Sequence, residues 1–190
     1  MAISSTKKRI EAAFLDILSR KPFSCIKVKD IVDEADVSHM TFYRHFSDKY
    51  NLVECICFDD MMLFTRIYGH NAEWRAIAMC ILNTIKNNTL FYSKILKDRD
   101  ACSACMRSLR RVSSENTGME GSSMTYMAWK ETLQKWARND FADSVETVYN
   151  CLVGAMPLHE VFNADEISAI MHSYESYTLD DFRNRNRCQI

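Results

Sequence analysis

The chain has few of the residues that interrupt or replace helices. It contains only four glycines and two prolines among its 190 residues. No stretch of any length alternates apolar and polar residues in the way that a half-buried strand does. An apolar content of 47% is sufficient for a sizeable core and a buried interface. These features together predict an all-α protein.

The sequence also lacks the marks of several functional classes. No apolar run approaches the roughly 20 residues that a membrane-spanning helix needs. The polar start MAISSTKK has no apolar signal-peptide core. No glycine-rich phosphate loop, HExxH motif or nucleophile elbow occurs. We therefore expect a cytoplasmic protein that contacts no membrane, is not an enzyme and uses no cofactor.

Eight cysteines are present, and two of them, Cys102 and Cys105, form a CxxC pair. A structural zinc site would need a second ligand pair at matching spacing, and none is evident. We therefore predict no metal ion. Cytosolic cysteines are ordinarily reduced and behave as small apolar residues. A thiol- or metal-responsive role for Cys102 and Cys105 remains an alternative, because a CxxC in a helix places both thiols on one face.

The stretch 28–49 has the pattern of two short helices joined by a tight turn. The first helix carries apolar residues at helical spacing, namely Val28, Ile31, Val32 and Ala35. The periodicity breaks at Asp36, and Ser38 is a favourable N-cap for the second helix. Phe42 and Phe46 lie four residues apart and can anchor that second helix to a core.

The outer side of the second helix is left with His39, Met40, Thr41, Tyr43, Arg44 and His45. This arrangement is typical of a helix-turn-helix, whose second helix enters a DNA major groove. A preceding helix with its own apolar stripe completes a three-helix head, with Ile10, Ala13, Phe14, Ile17 and Leu18 on one face and Pro22 as its stop.

The run TKKRIEAAFLDILSRKPFSCIKVKDIVDEADVSHMTFYRHFSDKYNLV resembles the DNA-binding domain of the TetR family of transcriptional regulators. The likeness rests on the KDIVDEA helix, the VS before the recognition helix, the TFYRHF core and the DKYNL that opens a long fourth helix. The HFSDKYNL ending and the helical remainder are similar to a subgroup that includes dihydroxyacetone kinase operon regulators. Asp36 departs from the family pattern, which usually has glycine in the turn, and Met40 stands where glycine or proline often precedes the threonine.

The resemblance implies a role for each position of the head. His39, Met40 and Arg44 would reach base edges, while Ser38 would cap the helix and meet a phosphate. Thr41, Tyr43, His45 and Lys49 match positions that usually hold the DNA backbone, and Lys29 would meet a flanking phosphate. The charge distribution agrees, because residues 1–50 hold nine Lys and Arg against seven Asp and Glu, whereas the remainder holds fifteen against eighteen.

We predict a DNA-binding domain over 1–48, a helical effector-binding and dimerisation domain over 49–180, and a flexible tail over 181–190. Apolar periodicity predicts helices over 47–64, 72–87, 91–96, 101–112, 124–136, 141–162 and 165–177, with a loop over 113–123. One head reads only a few base pairs, so a homodimer on a palindromic double-stranded operator is expected.

By the same resemblance, the last two long helices would pair with their mates across a two-fold axis. The interface positions would be Val145, Val148, Tyr149, Leu152, Met156, Ile167, Ile170, Met171 and Tyr174. An internal core stripe would give the same spacing, and that alternative stays open.

An effector pocket is the last feature that the resemblance implies. Its lining would be apolar and aromatic, with Phe58, Met62, Trp74, Phe91, Tyr92, Met106, Tyr126, Trp129 and His159 as candidates. The function expected from the sequence is thus a homodimeric repressor that a small-molecule effector releases from its operator. The alternatives are an activator or co-regulator controlled by a protein partner, and the thiol- or metal-responsive regulator introduced above.

Overall fold

The structure is a computed structural model that describes residues 2–68, 74–117, 122–157 and 164–175, with side chains over 6–62, 74–115, 122–157 and 164–169. No strand occurs within these ranges, and the all-α prediction is confirmed. The chain divides into two units, Met1–Ala155 and Met156–Ile190. The first contains nearly every described helix.

Three helices form the N-terminal head, as the sequence predicts. Helix α1 spans Ala2–Arg20, α2 spans Val28–Ala35 and α3 spans His39–His45, with a 3-10 turn at Phe23–Cys25. Their shared core consists of fully or almost fully buried side chains, namely Ile10, Phe14, Ile17, Leu18, Phe23, Ile26, Ile31, Val32, Phe42 and Phe46. Burying each large side chain of this kind contributes about 1.5–3 kcal/mol to folding.

Six further helices complete the first unit: α4 Lys49–Tyr68, α5 Trp74–Asn87, α6 Thr89–Lys97, α7 Arg99–Thr117, α8 Ser123–Arg138 and α9 Val145–Gly154. Helices α4 and α7 pack against each other along much of their length, α5 contacts α4 and α9, and α6 contacts α7 and α8. The described part of the second unit contains α10, Ala164–Glu175. The predicted tail, 181–190, lies outside the described residues.

Two predicted boundaries in the body are wrong. Helix α7 continues to Thr117, so the first five residues of the predicted loop over 113–123 are helical. The helix predicted over 141–162 begins only at Val145 and ends at Gly154. Residues 158–163 of that prediction lie outside the described part of the chain.

A left-handed turn after α8 explains why α9 begins late. Asp140 and Phe141 have φ of 46° and 57°. The Phe141 N–H donates to Trp136 O at 2.9 Å and the Asp140 N–H donates to Ala137 O at 3.2 Å, which is the Schellman pattern of a helix end. The Phe141 ring meets the Trp136 ring edge-on, with centroids 5.2 Å apart. Phe141 is therefore a buried turn residue and not the first residue of a helix.

The head and the body are connected by side chains as well as by the start of α4. The Lys94 Nζ of α6 donates to Leu18 O and, at 2.8 Å, to Ser19 O, both at the C-terminal end of α1. The Lys7 Nζ of α1 lies 2.8 Å from Asp59 Oδ2 of α4. The division at residue 48 stays a prediction, and the two parts pack together within the first unit.

The predicted dimer positions fall into three groups. Val148, Tyr149 and Leu152 are buried within the single chain on α9, which packs against α5 and α8; the Tyr149 ring lies 5.8 Å from that of Trp74. These three match the internal core stripe, so the interface assignment is corrected there. Val145 and Ile167 are half-buried, and Met156 is buried. The side chains of Ile170, Met171 and Tyr174 lie outside the described residues.

Candidate nucleic-acid interface

The turn between α2 and α3 depends on an aspartate in the left-handed conformation. Asp36 has φ 49° and ψ 55°, and its N–H donates to Asp33 O at 3.3 Å. The next N–H, that of Val37, donates to Val32 O at 3.1 Å. This is again a Schellman motif. Aspartate tolerates the left-handed region better than most residues, which explains how the turn forms without the family's usual glycine.

Arg9 of α1 supports the same turn, a role that its position in the sequence does not indicate. Its Nη2 donates to Ala35 O at 2.8 Å and to Asp36 O at 3.0 Å. The last carbonyl groups of a helix have no intrahelical partner, so a charged donor here stabilises the end of α2. The sequence indicates only that carbonyl groups at the end of α2 need donors. It cannot indicate that Arg9 supplies them, because Arg9 and Ala35 lie 26 residues apart.

Helix α3 begins at the predicted N-cap. The Ser38 Oγ accepts the Thr41 N–H at 3.1 Å, and the two hydroxyl oxygens lie 2.9 Å apart. On the opposite side Phe42 and Phe46 are buried, with their ring centroids 5.7 Å apart. The cap and the two aromatic anchors together fix which face of this seven-residue helix points outward.

The outward face presents His39, Met40, Tyr43 and Arg44, all of which are exposed. Met40 is 83% exposed, which is unusual for so large an apolar side chain. The His39 and Tyr43 rings lie 6.4 Å apart and nearly parallel. Lys29 is exposed on the neighbouring helix α2. The face therefore combines a cation, aromatic hydrogen-bonding groups and an apolar tip.

Two of the predicted DNA contacts are placed differently. His45 is half-buried, and its Nε2 is enclosed without a hydrogen-bond partner among the described residues. This nitrogen is therefore closed to a phosphate, and the predicted backbone contact of His45 stays a prediction for the rest of the ring. Thr41 is also half-buried, with its hydroxyl beside that of Ser38.

Lys49 is directed into the protein. Its Nζ donates to Phe23 O at 3.1 Å and to Ile26 O at 2.9 Å, and it lies 4.4 Å from the centre of the Phe23 ring. An ammonium group has three donors, so at most one N–H is left for a phosphate. Lys49 thus holds the 3-10 turn against the start of α4, and Asp48 provides the N-cap there, with Oδ1 accepting the Asn51 N–H at 2.7 Å.

The predicted effector residues do not enclose one pocket. Trp74, Tyr126 and Trp129 line a cavity of about 30 Å³ between α5, α7 and α8, room for a water molecule or two. Four other candidates, Phe58, Met62, Phe91 and Tyr92, are buried and do not line that cavity. His159 lies outside the described residues.

Met106 and Tyr126 line an open groove of about 340 Å³ between α7 and α8 instead. This α7–α8 groove is formed by Ser103, Met106, Arg107, Arg110, Ser123, Tyr126, Met127 and Lys130. It opens on the surface of the body.

The cysteines of the CxxC pair are fully buried. Burial, with Cys105 nearby, raises the pKa of the Cys102 thiol to about 11. Burial also raises the pKa of Cys57 on α4 well above its ordinary value, again with Cys105 beside it. Such thiols stay protonated and unreactive near neutral pH. Among the residues described, no three His, Cys, Asp or Glu side chains form a cluster that could hold a metal ion.

Comparison with known proteins identifies the head. The family model of bacterial regulatory proteins of the tetR family matches residues 10–56. The HTH-type dhaKLM operon transcriptional activator DhaS of Lactococcus lactis subsp. lactis (strain IL1403) is 29% identical over 93 residues. That alignment covers 47% of this chain and 48% of DhaS, so the chain matches about half the length of this curated relative.

One solved structure extends the likeness of fold into the body. A TetR transcriptional regulator from Streptococcus agalactiae 2603V is similar with a TM-score of 0.55 at 23% identity, covering 82% of this chain and 96% of that one. A structure of the dihydroxyacetone kinase operon activator DhaS covers the same shares, with a TM-score of 0.49 at 19% identity. Within the described ranges, no helix is both long and apolar enough to cross a membrane.

The matched model describes bacterial regulatory proteins, which agrees with the prediction that the chain is not an enzyme. The matched segment begins within α1, includes α2 and α3, and ends within α4. Residues 10–56 thus carry the helix-turn-helix of the tetR family, and the chain resembles regulators of that family.

Proposed function

We propose that the chain binds a specific DNA sequence as a homodimer, with α3 of each copy in a major groove. The observation that carries this proposal is the outward face of α3. His39, Met40, Tyr43 and Arg44 point away from the core, while Phe42 and Phe46 fix the helix from behind. A short helix anchored in this way presents its side chains to base edges in a helix-turn-helix complex.

The side chains suit different parts of a duplex. Arg44 can donate two hydrogen bonds to the O6 and N7 of guanine, and the Met40 side chain can contact a thymine methyl group. The Tyr43 hydroxyl and the Lys29 ammonium suit phosphate oxygens, which position the protein without reading sequence. His39 adds a ring nitrogen beside Tyr43, where it can meet a base edge.

We expect a dimer because one head contacts only a few base pairs. Helix α3 has seven residues and spans a few base pairs. Two heads on the same face of DNA lie one helical turn apart, about 34–36 Å, and their two-fold symmetry is mirrored in a palindromic site. The homodimer in a cytoplasmic setting therefore belongs to this proposal, and residues 145, 156, 167, 170, 171 and 174 remain its candidate interface positions.

Control by a partner protein fits the body better than release by a small molecule. Ligand pockets usually measure about 300–1,000 Å³ and enclose most of their ligand. The cavity beside Trp74, Tyr126 and Trp129 measures about 30 Å³. The relative DhaS is named as a transcriptional activator. We therefore favour a partner-controlled activator over the effector-released repressor that the sequence first suggested, and the buried, protonated thiols give no support to the redox alternative.

Such control would act through α4 and α6. Both helices hold the head, α4 by continuing from α3 and by the Lys7–Asp59 ion pair, and α6 by Lys94 at the end of α1. A partner that binds one arrangement of α4 more tightly shifts the dimer toward the matching distance between heads. The free-energy difference between the two arrangements changes by the difference in the partner's binding free energy for them.

Selection of bound duplexes from a random DNA pool tests the proposal. The purified full-length chain is expected to enrich an inverted repeat with half-sites one helical turn apart. An Arg44→Ala variant is expected to enrich a site that has lost one specified base pair in each half. Recovery of no motif by the folded wild-type chain would overturn the proposal.

A further inference from the structure

The α7–α8 groove has a charge opposite to that of the body around it. Residues 51–190 hold fifteen Lys and Arg against eighteen Asp and Glu. Three of the eight groove residues, Arg107, Arg110 and Lys130, are nevertheless cations, and none is acidic. The groove is therefore a local concentration of positive charge on a body of net negative charge.

The floor of the groove is apolar and partly open to water. Met127 is 66% exposed and Met106 is half-buried, with the Tyr126 ring between α7 and α8. Met124, three residues before Met127 and on the same side of α8, is 64% exposed. Exposed methionines of this kind are adaptable apolar contacts, and methionine and arginine are enriched in protein interfaces.

Two of the cations have no acidic partner within the described part of the chain. Arg110 lies 4.4 Å from the centre of the Tyr126 ring, and neither it nor Lys130 forms an ion pair there. The Tyr126 hydroxyl is buried without a hydrogen-bond partner among those same residues. Carboxylates entering the groove would thus find donors that the described part of the chain leaves unused.

We infer that the α7–α8 groove is the docking site for an acidic segment of a partner protein, anchored by apolar side chains against Met106 and Met127. This inference rests on the proposed control by a partner protein. It specifies that the partner binds through a segment that is acidic and carries apolar side chains. Charge complementarity selects the occupant. A second copy of this chain is disfavoured, because a two-fold interface through the groove would bring two basic rims together.

The groove is linked directly to the helix that carries the head. The Arg107 Nε, on the rim, donates to Glu54 Oε2 of α4 at 2.8 Å. An acidic partner that engages Arg107 competes with Glu54 for the guanidinium group. Docking therefore changes a contact of α4 only five residues after that helix begins at Lys49.

The test is a selection of random 16-residue peptides displayed on phage against the immobilised full-length chain, without DNA. The same library is selected against Arg110→Glu, Lys130→Glu and Lys135→Glu variants. Lys135 is an exposed lysine of α8 outside the groove and serves as the matched control. Circular dichroism and melting temperature establish that each variant is folded. Arg110→Glu also removes the contact with the Tyr126 ring, whereas Lys130→Glu changes the charge of the groove without affecting that contact.

The wild-type chain and Lys135→Glu are expected to enrich peptides with net negative charge and apolar residues at helical spacing. The synthesised peptides should bind the two groove variants at least tenfold more weakly. Enrichment of neutral or basic peptides, equal binding to all variants, or no enrichment would overturn the inference, as would a change of oligomeric state in both groove variants. The DNA selection described above needs no peptide, so failure here leaves DNA binding standing as a separate result.

Discussion

At the scale of single residues, several cations of this protein close helix ends and do not face DNA. Arg9 covers the end of α2, Lys94 covers the end of α1, and Lys49 holds the 3-10 turn. Lys86 likewise donates to Phe141 O in the turn after α8. The count of Lys and Arg over residues 1–50 is therefore larger than the number of cations that can contact DNA. Lys29 and Arg44 become the more important cations for DNA binding.

Loss of the α3 cap is expected to weaken the head. Ser38→Ala removes the acceptor of the Thr41 N–H, and losses of this type cost about 0.5–2 kcal/mol of unfolding free energy. Urea denaturation of the full chain measures the change. Ser38→Asn, which can still accept that bond, should stay close to the wild type, and an equally destabilised asparagine variant would show that the cap is not the cause.

Arg44 and Lys29 are expected to affect DNA binding in different ways. Arg44→Ala should relax preference at one base pair and cost about 1–3 kcal/mol on the preferred site. Lys29→Ala should weaken binding to all duplexes alike and lower the slope of log affinity against log salt by about one. Titrations of preferred and scrambled duplexes at several salt concentrations separate the two. A uniform loss in Arg44→Ala would contradict its role in reading bases.

Asp60 should make stability depend on pH. Burial raises the pKa of this carboxyl above its ordinary value, although hydrogen bonds from Asn88 and Tyr92 lower it. A raised pKa in the folded state stabilises the protein below the ordinary carboxyl value of about 3.9, and this contribution disappears as pH rises through the raised value. Asp60→Asn, which stays uncharged, should therefore unfold at higher urea than the wild type near pH 7.

The gain from Asp60→Asn should shrink as pH falls below about 4, where the wild-type carboxyl is itself protonated. Asp59→Asn provides the control, since Asp59 is exposed and paired with Lys7 and its loss should give no gain. A gain in Asp60→Asn that was the same at both pH values would show that charge burial is not its origin.

At the scale of helices, the contact between α6 and α1 couples body and head. Lys94→Met removes a charged donor from two carbonyls at the end of α1 and should cost about 1.5–3 kcal/mol, the usual value for a hydrogen bond to a charged group. Lys97→Met, on the same helix, loses only the exposed pair with Asp140 and should cost less than about 1 kcal/mol. Equal costs, measured by urea denaturation, would contradict the proposed coupling.

Helices α2 and α3 could be predicted from sequence because their signals are local. The apolar spacing, the break at Asp36 and the cap at Ser38 all act within a few residues, and both helices lie where these signals place them. Capping residues also occur at Ser4, Ser5 and Thr6, yet α1 already begins at Ala2. A capping residue indicates a helix start only where the backbone leaves the helical conformation.

The start of α9 was predicted four residues too early, at 141, because the apolar spacing was given more weight than the turn-forming residues before Val145. Phe141 continues the apolar spacing of Val145 and Val148, yet it packs on Trp136 from a left-handed turn. Asn139 and Asp140, followed by a cap at Ser144, were the available signals. No local sequence pattern could predict that the Lys49 side chain points into the protein, because its hydrogen-bond acceptors lie 23 and 26 residues away along the chain.

At the scale of the whole molecule, the described body has a filled core and an open basic groove. The aromatic residues predicted to form an effector pocket are mostly ordinary core, which the sequence cannot distinguish because both patterns repeat at helical spacing. The same ambiguity affected Val148, Tyr149 and Leu152. Sedimentation equilibrium of the full-length chain should give a dimer of 22.1 kDa subunits, and a monomer at micromolar concentration would contradict the two-headed arrangement.

The most direct test of the central claim is a titration of the duplex recovered by selection against a scrambled duplex of equal length and composition. With α3 as the reading element, two chains should bind each selected duplex, about a thousandfold or more tighter than the scrambled one at physiological salt. The double variant His39→Ala with Arg44→Ala should lose most of that ratio while remaining folded. Equal affinity of the wild-type chain for both duplexes would contradict the claim that α3 reads sequence.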